Sequence, residues 1–266
     1  MAPDHDGRYR FAAAYANSAP LAHFLPQVDP RVLLLEGPPA TLVARVLSGE
    51  LDAALIPVVD YLTQPQVRMI DGLGVCADGH VESVLLKCRR PLREVRHVEL
   101  DPTSHTSNAL VRVLLRRHFR LSPEIGYPDP ARPADAAVVI GDRALCAPPA
   151  SGGDYDLAGQ WKEMTGLPFV FAVWGYRADH PRPEELARLA QAAKQAGLAR
   201  LDELAAIQAR RLHLPLDRCR AYLGSSIHYC LGPRERQAMD LFAKLLQELE
   251  AAAGAPRECT FTREEH

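Results

Sequence analysis

Hydrophobic residues fall in short, dense runs through the first two-thirds of the chain and at helical spacing through the last third. RYRFAAA (8–14), VLLLE (32–36), AALIPV (53–58), ESVLLKC (82–88), HVEL (97–100), AAVVIG (136–141) and PFVFAVWGY (168–176) read as strands. Helical patterns at 18–25, 38–48, 106–118 and 156–165 separate them. This alternation predicts an α/β fold with largely parallel sheets. Residues 32–58 show one unit of it. Gly37 closes a strand, Pro38 and Pro39 open a helix with an apolar face (Leu42, Val43, Val46, Leu47), and Gly49 ends it. Leu51-Asp52 then leads back into a buried strand.

From about Pro181 the pattern becomes helical throughout. PEELARLAQAAKQAG, LDELAAIQARRLHL, LDRCRAYLG and PRERQAMDLFAKLLQELEAA carry acids early and bases late, which suits the helix dipole. They predict a C-terminal helical sector packed on the α/β body, with the tail PRECTFTREEH frayed. Two stretches read as crossings between lobes: RRPLREVR (89–96), broken by Pro91, and the overlong apolar run that ends near 174. The expected division is lobe I at 1–88 and 175–266 and lobe II at 89–174. Ligand then sits in the cleft between them, outside the carboxyl ends of the strands.

Composition narrows the function classes. The 266 residues are 47% hydrophobic with a formal net charge of −2, and no basic stripe suits a nucleic-acid partner. No run reaches the ~18 apolar residues of a membrane span. The first twenty residues bear two early acids and no secretory h-region, so a cytoplasmic location is expected. Six cysteines (Cys76, Cys88, Cys146, Cys219, Cys230, Cys259) include no C-x-x-C pair, and His228 with Cys230 lacks a second pair at ligand spacing. Reduced thiols and no structural metal are the expectation.

The chemistry concentrates in LDPTSHTSNAL (100–110). A strand gives way to Thr103, Ser104, His105, Thr106 and Ser107 at the mouth of a helix, where unpaired N–H groups and the dipole's positive end favour an anion. A plain N-cap with surplus hydroxyls facing water accounts for the same residues. AYANSAPLAHF (14–24) repeats the grammar with Asn17 and Ser18, and two such mouths on one cleft suit a dianion. Ser83 opens a strand without a Gly-x-Ser-x-Gly elbow, which argues against a nucleophilic serine. Asp142 and Arg143 follow a strand on the expected cleft side, as an ion pair or as pocket residues.

LEGPPATLVARVLSGELDAALIPVVDYL, VESVLL, LDPTSHTSNALVRVLL, ADAAVVIGDRAL and YDLAGQWKEMTGLPFVFAVW, taken in order, resemble the chorismate dehydratases of the futalosine route to menaquinone. The likeness covers roughly residues 9–177. It implies a two-lobed fold similar to the type 2 periplasmic binding proteins, made into a cytosolic enzyme. It also implies that chorismate, a small dicarboxylate partner, loses water to give 3-[(1-carboxyvinyl)oxy]benzoate without metal or organic cofactor. Oligomeric state is left open. Asn17 and Ser83 match the family's functional residues, and Thr106 and Ser107 its carboxylate-holding ones. Ser18, Ser104, His105, Asp142 and Arg143 complete the expected substrate contacts. Ala16, Glu82 and His105 depart from the family pattern, His105 standing where arginine is common. The base that removes the C3 proton is either His105 or the substrate's own enolpyruvyl carboxylate.

Three rivals share the fold. A 1,4-dihydroxy-6-naphthoate synthase look-alike carries a histidine where this chain has Asp142-Arg143. A non-catalytic binding protein is normally exported. An effector-sensing domain of a regulator follows a helix-turn-helix, which is not expected ahead of the first strand here.

Overall fold

The strands assemble into two sheets in the computed structural model, which describes residues 7–252. The first sheet runs β11 (His228–Cys230), β4 (Val67–Ala77), β10 (Phe169–Arg177), β3 (Ala53–Pro57), β1 (Tyr9–Ala13), β2 (Val32–Glu36). The second runs β7 (Glu124–Gly126), β6 (His97–Glu99), β8 (Ala136–Ile140), β5 (Val84–Cys88), β9 (Asp154–Asp156). Around them pack α1 (Ala19–Ala22), α2 (Leu25–Val28), α3 (Pro39–Leu47), α4 (Val58–Thr63), α5 (His105–Arg117), α6 (Gly141–Cys146) and α7 (Leu157–Thr165). The C-terminal sector holds α8 (Pro183–Ala199), α9 (Leu201–Leu212), α10 (Leu216–Ala221), a π-helical turn at Tyr222–Ser226, and α11 (Pro233–Ala252). PRECTFTREEH and Cys259 lie outside the described residues.

The expectation of largely parallel sheets is corrected. β1 is parallel to β2 and β3, and β6 to β7 and β8. β10 is antiparallel to β3 and β4, β11 to β4, and β5 to β8 and β9. For β10 and β5 the reason is the double crossing. A strand arriving from the other sheet starts where its new neighbours end, and so runs against them.

The crossings also lie elsewhere than expected. β5 already belongs to the second sheet, so the chain changes sheets at 78–83, ahead of RRPLREVR; β10 already belongs to the first, so it returns at 166–168. The helix expected at 18–25 is broken into a 3₁₀ turn (Ala16–Ser18), α1 and α2, with Pro20 and Pro26 in their first turns. β4 had no expected counterpart. Its apolar positions are interrupted by Asp71, Gly72 and Gly74, and a Cβ on Gly74 would lie 3.0 Å from both the Ala172 carbonyl and Leu231.

One core runs under both sheets. Phe11 meets Trp174 edge-on at 5.3 Å, and Trp161 meets Phe169 and Phe242 at 5.3 and 5.8 Å. Phe242 brings α11 onto β10, where all three rings are fully buried. Each such ring contributes about 1.5–3 kcal/mol. The Trp161 indole N–H donates to the Pro168 carbonyl at 3.0 Å, fixing the return crossing beneath α7. The outward crossing is fixed by Asp156, which caps α7 through Gly159 N–H (3.0 Å) and accepts from Val81 and Glu82 N–H (2.9 and 2.7 Å). No helix among the described residues is long and apolar enough to cross a membrane.

Candidate functional site

The carboxyl ends of β1, β3, β4 and β8 and the first residues of β5 and β10 face one another across a cavity. Such a place is where open α/β sheets bind ligands. Leu55, Val75, Val84, Ile140 and Phe171 give it apolar walls, with polar groups from Tyr15, Asn17, Ser18, Ser104, Thr106 and Ser107. No charged side chain lines it among the described residues.

The polar floor is the mouth of α5. Ser104 is the N-cap; its hydroxyl accepts from Ser107 N–H (3.3 Å) and donates to the Ser107 hydroxyl (2.8 Å). Ser107 Oγ is thereby an acceptor once, and its own hydrogen is left for the cavity. Thr106 Oγ1 likewise accepts from Val59 N–H at 3.4 Å and keeps its hydrogen. The turn before the helix is built on buried Asp101, which accepts from the Thr103 N–H and hydroxyl (2.9 and 2.6 Å) and pairs with Arg143. Asn108 closes it by pairing with both backbone groups of Asp101 at 3.0 and 2.7 Å.

Opposite stands the turn after β1. Asn17 lines the cavity, and the Ser18 hydroxyl donates back to the Tyr15 carbonyl at 2.9 Å. Tyr15 takes φ +63° and lays its ring against Gly141, itself at φ +61°. A Cβ on Gly141 would fall 2.8 Å from that ring. The Tyr15 hydroxyl meets Thr103 Oγ1 at 3.3 Å, and burial pushes the phenol above its ordinary range. Tyr15, Val75 and Phe171 are site residues that hydrophobic patterning does not pick out: Phe171 lies inside a run that reads as strand, Tyr15 just past another, and Val75 in β4, which had no expected counterpart.

Of the expected residues, Asn17, Ser18, Ser104, Thr106 and Ser107 are brought to one cavity. Ser83 is fully enclosed one residue before the cavity-lining Val84, its carbonyl accepting from Gly141 N–H at 2.7 Å and its hydroxyl without a partner among the described residues. His105, Asp142 and Arg143 stand behind the wall. His105 Nδ1 pairs with Asp60 at 2.8 Å, and that carboxylate holds the imidazole above its ordinary value against the opposing effect of burial. Asp142 accepts from Ala16 N–H (3.0 Å) and pairs with Arg211 (2.7 Å). Glu82, at φ +62°, pairs with Arg218 at 3.1 Å.

A menaquinone-biosynthesis family model matches residues 12–248. A chorismate dehydratase of Thermus thermophilus is 34% identical over 253 residues, spanning 87% of this chain and 92% of its own length. One from Campylobacter jejuni is 28% identical, spanning 82% and 85%. In structure the chain is similar to the alkanesulfonate-binding protein SsuA from Xanthomonas axonopodis pv. citri, with a TM-score of 0.62 at 17% identity over 92% of this chain and 93% of that one. The fold is that of the periplasmic binding proteins.

Proposed function

The chain belongs to the menaquinone-biosynthesis family, and from that premise we propose that it is a chorismate dehydratase, a carbon–oxygen lyase of the cytoplasm that opens the futalosine route. Chorismate loses the C3 proton and the C4 hydroxyl to give 3-[(1-carboxyvinyl)oxy]benzoate and water. Aromatisation drives the step, so the enzyme's task is to position the ring and stabilise charge. In this reading the two sheets are two lobes joined at 78–83 and 166–168, and chorismate lies between them.

The observation that carries the reading is the neutral, hydroxyl-lined mouth of α5 facing Asn17 across the cavity. One carboxylate is received by the Thr106 and Ser107 hydroxyls and the first N–H groups of α5. Asn17 orients the ring or its hydroxyl, and Ser83 donates to the departing oxygen. The engagement of His105 with Asp60, away from the cavity, favours the enolpyruvyl carboxylate of the substrate as the base that takes the C3 proton. Among the described residues Tyr15 is the single titratable side chain on the wall, and its raised pKa makes it a poor base at neutral pH.

Incubating the purified protein with chorismate and following products by chromatography and mass tests this. A product lighter by one water is expected from the wild type and is lost in Asn17→Ala and Ser83→Ala. Chorismate left unchanged while still raising the melting temperature would instead make the chain a binding protein of this fold.

A further inference from the structure

Two enclosed hydroxyls have no partner among the described residues: Ser83 Oγ, one position before the cavity-lining Val84, and the Tyr222 phenol. Both residues are buried, at 0% and 3% exposure. The Ser83 side chain is nonetheless close enough to act on the phenol. Of the groups that bear on the buried phenol, the Ser83 hydroxyl alone favours its ionised form, while Asp142, Glu82 and Asp156 disfavour it. Tyr222 also opens the π-helical turn of residues 222–226, and that turn rests on the Ala16–Ser18 turn that carries Asn17. A π-helical insertion is rare and concentrates at functional places.

We propose that Tyr222 is a positioning residue for the dehydration, its phenol donating to Ser83 Oγ so that the Ser83 proton points at the departing C4 hydroxyl. The proposal rests on the dehydratase reading above. A buried hydroxyl with no partner is costly, and phenylalanine would fill the same volume without that cost. Substrate entry supplies the missing geometry: Ser83 donates to the C4 oxygen and accepts from Tyr222. The C3–H electron pair forms the new ring π bond, and the C4–O bond breaks onto the leaving oxygen. The C3 proton, taken by the enolpyruvyl carboxylate, completes the released water. Ser83 and Tyr222 keep their protons throughout, so their contribution is direction rather than transfer.

Steady-state kinetics with chorismate and thermal unfolding should be run on the wild type, Ser83→Ala, Tyr222→Phe, the double variant and Tyr229→Phe. Tyr229 is the comparator: its phenol is as enclosed and as partnerless, and Tyr222 rather than Ser83 is among the groups acting on it. In Tyr222→Phe, kcat is expected to fall about 10- to 100-fold with KM within about threefold. Its melting temperature should be unchanged or higher, and the double variant no slower than Ser83→Ala alone. Tyr229→Phe should keep wild-type kcat. A Tyr222→Phe enzyme within about twofold of wild type, or one whose loss is matched by Tyr229→Phe, overturns the positioning role while leaving the dehydratase reading intact. A wild type that leaves chorismate untouched overturns both.

Discussion

At the scale of single residues, the Tyr15 ring on Gly141 is a tight packing contact between the two halves of the site. Both residues sit at positive φ, and the missing Cβ of Gly141 is the space the ring occupies. Gly141→Ala must bear the left-handed backbone, about 1–2 kcal/mol, and displace the ring. We expect it to lower stability by about 2–4 kcal/mol and to raise KM for chorismate more than it lowers kcat, as chemical unfolding and kinetics would register. None of this was legible in the sequence, because a tyrosine at positive φ leaves no trace in a hydropathy pattern. The hydroxyls of 103–107 were legible as a helix mouth, since capping needs small oxygen-bearing side chains at fixed spacing. His105 was legible only as a residue at that mouth. Its partner Asp60 lies 45 positions away, and that distance decides whether the imidazole faces ligand or protein.

Among the elements, the strands that are dense and apolar were readable, and those that cross or edge the sheets were not. β4 hides behind its Asp71-Gly72 and Gly74 interruptions, and β7, β9 and β11 have three residues each, too few for a period. The crossing at 78–83 carries no proline or charge run to advertise it. Its conformation is set by Asp156, a residue of the far sheet edge, through Val81, Glu82 and the cap of α7. Asp156→Ala removes the cap and strands two N–H groups that were bonded to a carboxylate. A loss of about 3 kcal/mol is expected in urea unfolding. Asp156→Asn, which can still accept, should lose less than half of it. Equal losses in the two variants would remove the crossing from this account.

For the whole molecule, the two halves meet through a row of bonds around the cavity: Tyr15 to Thr103, Ala16 to Asp142, Ala40 to Thr103, Val59 to Thr106, and Asp60 to His105. The last of these titrates. Because Asp60 raises the folded-state pKa of His105 above the ordinary ~6.5, its contribution is complete below that value and is lost as pH rises through the raised one. Wild type is therefore expected to lose stability relative to His105→Gln as pH rises from below the ordinary imidazole value through the raised one, measured as the difference in urea midpoint across a pH series. A difference that stays flat would mean that the pair contributes nothing between the halves. The interrupted first sheet has a further consequence, for the order of assembly. β10 fills the gap between β3 and β4, yet it follows the whole second sheet in the chain. A ribosome that has released residues up to 168 presents a finished second sheet and a first sheet with two open edges at its centre. The second sheet is then the earlier unit to mature, and during those seconds of synthesis β3 and β4 are the segments that a chaperone has reason to cover.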